Sequence, residues 1–359
     1  MKSAVWGHPG ILSAVFGLVL AGCSSGSVAG SDDASASPVD MSDLSDLGTA
    51  DFAVPQLASC PSQGAGAIVA PAGCVVFTPQ QAGADPAGVN ATQYQFALEP
   101  FGVAKGVLVV HLNGSLGSPA GQIADPQKNL YSALAAAGFH VLGVAYRSSA
   151  VVGVLCNGSP TCFAPTRRTL VLGSYVAGAP ASLSNMRADE GIVQRIDAGI
   201  AILSAARPSG GWSQYRASAS DPDVTKRVAW NKLIASGHSQ GGGHAAFLGS
   251  VVTLRRVVQL SSTCDYTSGV PAPWTSSALT WPTVPKTAFV GFAAPTTFTA
   301  GNPTAGDTTC PYHAAVWQNL GMDAANSHDD AATCGISGDT HSAAISCTDN
   351  FARWPTLYQ

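Results

Sequence analysis

Charge is scarce in this chain: Asp, Glu, Lys and Arg make up 11% of its residues, with 17 basic against 21 acidic side chains and a formal net charge of −4. Binding a polyanion requires a basic face, so this balance leaves no footprint for nucleic acid. Hydrophobic residues reach 46%, and surface polarity must come from Ser, Thr, Asn and Gly. The apolar run from Ile11 to Gly22 is too short for a convincing membrane-spanning helix. The nine cysteines include no C-x-x-C pair and no Cys/His quartet at zinc spacing, which argues against a metal cluster. Internal repeats are missing from the folded part, which argues against a solenoid.

Met1-Lys2 followed by that apolar run reads as a signal peptide over residues 1–22. Its end, Leu20-Ala21-Gly22-Cys23, resembles the lipobox of bacterial lipoproteins. The resemblance implies cleavage before Cys23 and acylation of that cysteine; the alternative is an ordinary small-residue cleavage site. Residues 23–55 are rich in Ser, Gly, Asp and Ala, too polar to bury a core, and read as a disordered tether. Ser24 follows the lipid-bearing position where an aspartate often retains lipoproteins in the inner membrane. An exported protein of the bacterial outer membrane or cell surface is therefore expected, touching the membrane only through its amino-terminal lipid. Setting Cys23 aside leaves eight cysteines, an even number suited to disulfides in an oxidising compartment. Eight cysteines allow about 105 pairings. Proximity suggests Cys60 with Cys74, Cys156 with Cys162 and Cys334 with Cys347, which leaves Cys264 for Cys310.

Residues 56–359 suffice for one large domain. Runs at 74–78, 93–98, 106–112, 139–146, 232–236, 256–260 and 286–292 read as strands. Between them, helices are expected over 129–138, 185–207 and 311–320. This alternation predicts an α/β fold with a mostly parallel central sheet and helices on both faces.

The most informative stretch is Gly237-His238-Ser239-Gln240-Gly241. It stands between an apolar strand and a helix that opens with small residues, the setting of a nucleophile elbow. Such a turn forces the serine into strained backbone angles, and its glycines let strand and helix pass closely. Ser239 is the candidate nucleophile; the alternative is a serine that only caps the helix.

The order of elements, with the elbow after the fifth core strand, resembles the α/β-hydrolase fold over residues 72–355. A closer resemblance runs from Arg207 to Gly249. There Arg-Pro-Ser-Gly-Gly-Trp212 and Trp230-Asn-Lys-Leu-Ile-Ala-Ser-Gly-His-Ser-Gln-Gly-Gly-Gly-His-Ala look like a family of secreted bacterial α/β-hydrolases whose substrates are poorly defined. The resemblance implies a triad in the order Ser, acid, His. His341, in a late loop, matches the family's base by position. His244 is expected to pack on the elbow helix, His313 to begin a helix and His328 to lie in a solvated loop. The usual acid position, just after Phe292, holds no carboxylate. Asp265, past the end of the preceding strand and beside Cys264, is expected to orient His341. Asp307 is its main competitor, and Asp339 is assigned to loop support. Backbone N–H groups of Gln240 and of Asn113 or Gly114 are the expected oxyanion donors.

Two long segments, 148–184 and 266–285, are candidates for shaping the pocket. Trp274 and Trp281 in the second either line it or only pack the loop onto the body. The expected activity is hydrolysis of a small-molecule or polymeric carboxylic ester through an acyl-enzyme, with no cofactor. The same residues serve acyl transfer to another acceptor and peptide cleavage. A scaffold that binds without turnover is the reading from another class. Substrate identity and oligomeric state are not legible.

Overall fold

The computed structural model describes residues 57–60, 73–119, 130–335 and 340–359, all within the compact unit Ala53–Gln359. The expected signal peptide, Cys23, the tether up to residue 55 and Asp339 lie outside the described residues. In spatial order the central sheet runs β1 (Ala58–Ser59), β2 (Val75–Phe77), β3 (Gln95–Leu98), β5 (His140–Val144), β4 (Leu108–Leu112), β6 (Leu233–His238), β7 (Arg256–Leu260), β10 (Phe289–Phe292) and β13 (Ser327–His328). The first three strands pair antiparallel, and every pair from β5 onward is parallel. Leaving aside the two-residue β1, the chain order across the sheet is 1-2-4-3-5-6-7-8, which is the α/β-hydrolase fold. Two small hairpins stand apart from it, β8 (Tyr266–Thr267) with β9 (Val270–Pro271) and β11 (Thr297–Thr299) with β12 (Asn302–Ala305).

The central strands read as continuous apolar runs because both of their faces are covered. On one face Leu108, Val110 and Leu112 pack with Leu142, Ile196, Ile200 and Phe247. On the other Val107 and Val109 pack with Tyr131, Leu134, Ile234 and Trp354. The first layer is covered by α4 (Ile192–Ala206) and α5 (Gln240–Gly249), the second by α1 (Leu130–Ala136) and α7 (Trp354–Leu357). Among the described residues no helix is long and apolar enough to cross a membrane.

Several boundaries differ from expectation for local reasons. The helix expected from residue 185 begins at Ile192, because Gly191 is extended (φ −65°, ψ 141°) and separates it from a turn at Ala188–Glu190. Pro285 heads a helical turn, so β10 starts only at Phe289. The excursion over 148–184 is partly helical, with α2 (Val152–Leu155) and α3 (Phe163–Leu172). His328 is half-buried on edge strand β13, paired with Phe292, and not in a solvated loop. All four expected disulfides are formed. Cys156–Cys162 clips α2 to the start of α3, and Cys264–Cys310 ties the segment after β7 to the one that precedes α6 (His313–Asn319).

Candidate active site

Ser239 sits between β6 and α5 with φ 54° and ψ −125°, a conformation that costs a non-glycine residue about 1–3 kcal/mol. The surroundings hold it there. Its N–H donates to Leu260 O at 3.0 Å, and Ser262 Oγ donates to Ser239 O at 2.7 Å. The flanking glycines are required by contact. A Cβ on Gly237 would run into the backbone of Gly241, and one on Gly242 would lie 2.5 Å from Ser262 Cβ. A Cβ on Gly241 would overlap the carbonyl oxygen of Leu112. Gly241→Ala is therefore expected to destabilise the fold by about 1–3 kcal/mol through overpacking. Its urea midpoint, compared with that of an alanine variant at the open Gly153, checks this.

His341 is brought to the elbow by the residue that precedes the serine. His238 Nε2 lies 3.0 Å from His341 O, and the two rings are 4.7 Å apart. Burial, followed by the charge of His341, holds His238 down to a pKa of about 3. Its ring is therefore neutral, and since a carbonyl only accepts, the proton sits on Nε2. On its other side, His341 Nδ1 is 2.8 Å from Asp307 Oδ1, which also accepts the Cys310 N–H at 2.8 Å. Asp307 is fully buried. Burial opposes its charge, but the hydrogen bond and charge of His341 and the Cys310 N–H outweigh it and hold the carboxyl below its ordinary range. A buried carboxylate thus meets the Nδ1 side of the imidazole, which fixes ring orientation and tautomer.

The expectation that Asp265 orients His341 is corrected. Asp265 Oδ2 accepts from Arg167 Nε at 2.6 Å and from Trp274 Nε1 at 2.8 Å, and Oδ1 accepts from Arg167 Nη2 at 2.5 Å. Its oxygens are spent on an ion pair whose side chains are both 2% exposed. Arg167 also donates through Nη1 to Gln240 O at 3.2 Å. His244 is buried edge-on against Tyr146, as expected of a packing residue. His313 does begin α6, but it is buried 3.9 Å from Asp307 Oδ2.

Gly114 lies against the nucleophile, where a Cβ would be 3.3 Å from Ser239 Cβ. The Asn113 side chain braces this loop, donating to Gly114 O at 2.9 Å and Gly117 O at 2.7 Å, and the Asn113 backbone carbonyl accepts the Tyr146 hydroxyl at 2.6 Å. Gln240 heads α5, so its N–H belongs to the first turn, where no intrahelical acceptor exists. The Gln240 side chain is held by the Ser115 hydroxyl at 3.0 Å and the Val152 N–H at 2.9 Å.

A cavity of about 460 Å³ opens over Ser239, walled by Val151, Val152 and Phe163 from the excursion and by Tyr266 and Thr267 from β8. Trp274 and Trp281 do not line it. They are buried and stacked with rings 5.8 Å apart, so they pack their loop onto the body.

Three site residues were missed in the sequence. The variable position of the elbow motif gave no hint that His238 holds the His341 backbone. Arg167 falls in the 148–184 excursion, which carries no catalytic motif. His313 reads from the sequence as a helix start, and its place three residues after Cys310 is the one signal of a further role.

No family model matches the chain, and no curated protein matches it. Among solved structures, that of an inhibited esterase B from Lactobacillus rhamnosis aligns with a TM-score of 0.25 and 16% identity, over 50% of this chain and 41% of that one. The alignment spans less than half of that esterase, and at this TM-score the likeness carries no argument for the site.

Proposed function

We propose that the protein is a serine hydrolase of carboxylic esters, with Ser239 as nucleophile, His341 as base and Asp307 as the acid that orients it. The observation that supports this best is the 2.8 Å contact between His341 Nδ1 and the buried Asp307 carboxylate, beside a serine held at φ 54° on an elbow. A serine hydroxyl is a weak nucleophile at neutral pH and needs both partners. Ser239 attacks the ester carbonyl as its proton passes to His341, which then protonates the departing alcohol. Asp307 keeps the imidazole in the tautomer that accepts at Nε2 and stabilises the imidazolium. The N–H groups of Gln240 and Gly114 receive the developing oxyanion, the second chosen over Asn113 because Gly114 abuts Ser239. Water activated by His341 releases the acyl group. Val151, Val152 and Phe163 give the cavity an apolar side, and Arg167 and Asp265, which also line it, are paired with each other, so an uncharged acyl group is favoured.

The absence of a carboxylate just after Phe292 is the feature that speaks for a binding scaffold. Asp307, beyond the β11–β12 hairpin, offers a carboxylate 2.8 Å from His341 Nδ1, which favours turnover over a binding scaffold. We keep export as a lipoprotein through Cys23 within this reading, consistent with four disulfides.

A fluorophosphonate is expected to label the purified, oxidised protein once per chain, on the peptide that contains Ser239, and to stop its hydrolysis of p-nitrophenyl esters. Ser239→Ala removes the label. A folded protein that takes no label and turns over no ester of any acyl length overturns the reading.

A further inference from the structure

His313, the first residue of α6, is 1% exposed in its side chain and hydrogen-bonded through both ring nitrogens. Nδ1 is 2.7 Å from Cys310 O and Nε2 is 2.8 Å from Asp329 Oδ1. A carbonyl and a carboxylate oxygen only accept, and a neutral imidazole has only one N–H. Both contacts are satisfied together only by the doubly protonated ring. This cation stands 3.9 Å from Asp307 Oδ2. Asp307 Oδ1 carries the hydrogen bonds from His341 and Cys310, whereas Oδ2 is buried without a hydrogen bond. A buried carboxylate oxygen in that condition is costly unless a charge compensates it.

We propose that His313 is a positioning residue for the reaction, a fixed imidazolium behind Asp307 that limits how tightly this carboxylate holds a proton on His341. The inference rests on the reading in which His341 and Asp307 serve Ser239. The ionisable groups facing His313 are Asp307 from the loop before α6 and Asp329 from the segment after β13, while Trp317 of α6 contributes an uncharged ring at 4.8 Å. His341 is bonded to the other oxygen of Asp307, and Tyr266 is near enough to sense the charge of that carboxylate. Burial alone disfavours the His313 charge, but Asp329, the Cys310 carbonyl and Asp307 outweigh it and raise its pKa above the ordinary histidine value. Carboxylates and imidazoles alternate from Asp329 at the surface through the buried His313 and Asp307 to His341 at the elbow. Asp329, 38% exposed, keeps His313 charged.

The sign follows from electrostatics. The negative charge of Asp307 favours the imidazolium of His341, and the positive charge of His313 offsets part of it. With His313 neutral, His341 stays protonated to higher pH and is lost as a base there. The test compares kcat/KM over roughly pH 5 to 9 for the wild type, His313→Gln and Asp329→Asn. In His313→Gln the acidic limb is expected to move up by about one pH unit, a loss of about tenfold on that limb, while the alkaline plateau is kept within a few-fold. Asp329→Asn, at a partly exposed position, shifts it in the same direction by less. A packing role alone would lower the whole profile evenly, and an unshifted limb in both variants overturns the proposal.

Nitrogen NMR of the His313 ring reads the charge without turnover. Two protonated nitrogens at neutral pH support the proposal, and a single N–H sinks it even if Asp307 is the acid. Conversely, full activity of Asp307→Asn would sink the underlying reading while leaving the His313 charge measurable.

Discussion

Asp307→Asn is expected to lower kcat for ester hydrolysis by about four orders of magnitude, with the fold retained and Ser239 still in place. The carboxamide keeps the shape of the carboxylate but not its charge. Asp307 Oδ1 accepts from both His341 Nδ1 and the Cys310 N–H, so an asparagine oxygen would serve two donors with less electron density. If the amide turned its nitrogen toward His341, the ring would be driven into the wrong tautomer. Either outcome deprives the transition state of imidazolium stabilisation. Asp265→Asn is the internal control: it touches Arg167 and Trp274, so its kcat should stay within about tenfold of wild type, since no charge is removed from beside the base. Steady-state rates of the two variants on one p-nitrophenyl ester decide between the two acids. A collapse in Asp265→Asn with Asp307→Asn unimpaired would reverse the assignment.

The contrast between these aspartates marks the limit of what the sequence discloses. The sheet was legible because each central strand is buried on both faces and leaves a largely apolar run, as at 107–110 and 141–146. The elbow was legible because its constraints are local: Gly237, Gly241 and Gly242 are required by contacts with one another, with Leu112 and with Ser262. Disulfide pairing followed from proximity. The acid was not legible, because its position depends on the return path of a loop. The β11–β12 hairpin intervenes after β10, and Asp307 comes beyond it, where Gly306 at φ +79° turns the chain tightly against Pro295. Asp265 had the better address, directly after a strand and beside a cysteine. Its partner is Arg167, 98 residues earlier in the chain, on a helix that gave no strong periodic signal. Strands and elbows are written in short-range patterns, whereas an ion pair across the fold is not.

That ion pair carries the second large effect, on stability. Asp265→Ala is expected to cost about 3–5 kcal/mol, because it leaves the Arg167 guanidinium buried without its counterion. The pair is buried at the wall of the cavity over Ser239. Both side chains are 2% exposed, and a Cβ on Gly243 would overlap the guanidinium. Trp274 Nε1 loses its acceptor as well. Replacing both partners, as in Arg167→Met with Asp265→Leu, removes the desolvation cost along with the attraction and should recover most of the loss. Recovery is incomplete by about 1–3 kcal/mol, the penalty of an unpaired indole N–H. Urea unfolding of the two single variants and the double variant measures these terms, and a double variant no more stable than Asp265→Ala would contradict the account. Activity separates a further role. Arg167 Nη1 holds Gln240 O, and Gln240 is the residue whose N–H is assigned to the oxyanion. The double variant, although refolded, should therefore show a lower kcat than wild type with KM little changed, since the oxyanion contact matters chiefly in the transition state. The buried pair then has two separable effects: its charge balance governs whether the protein folds, and its grip on the first turn of α5 governs how well the folded protein turns over.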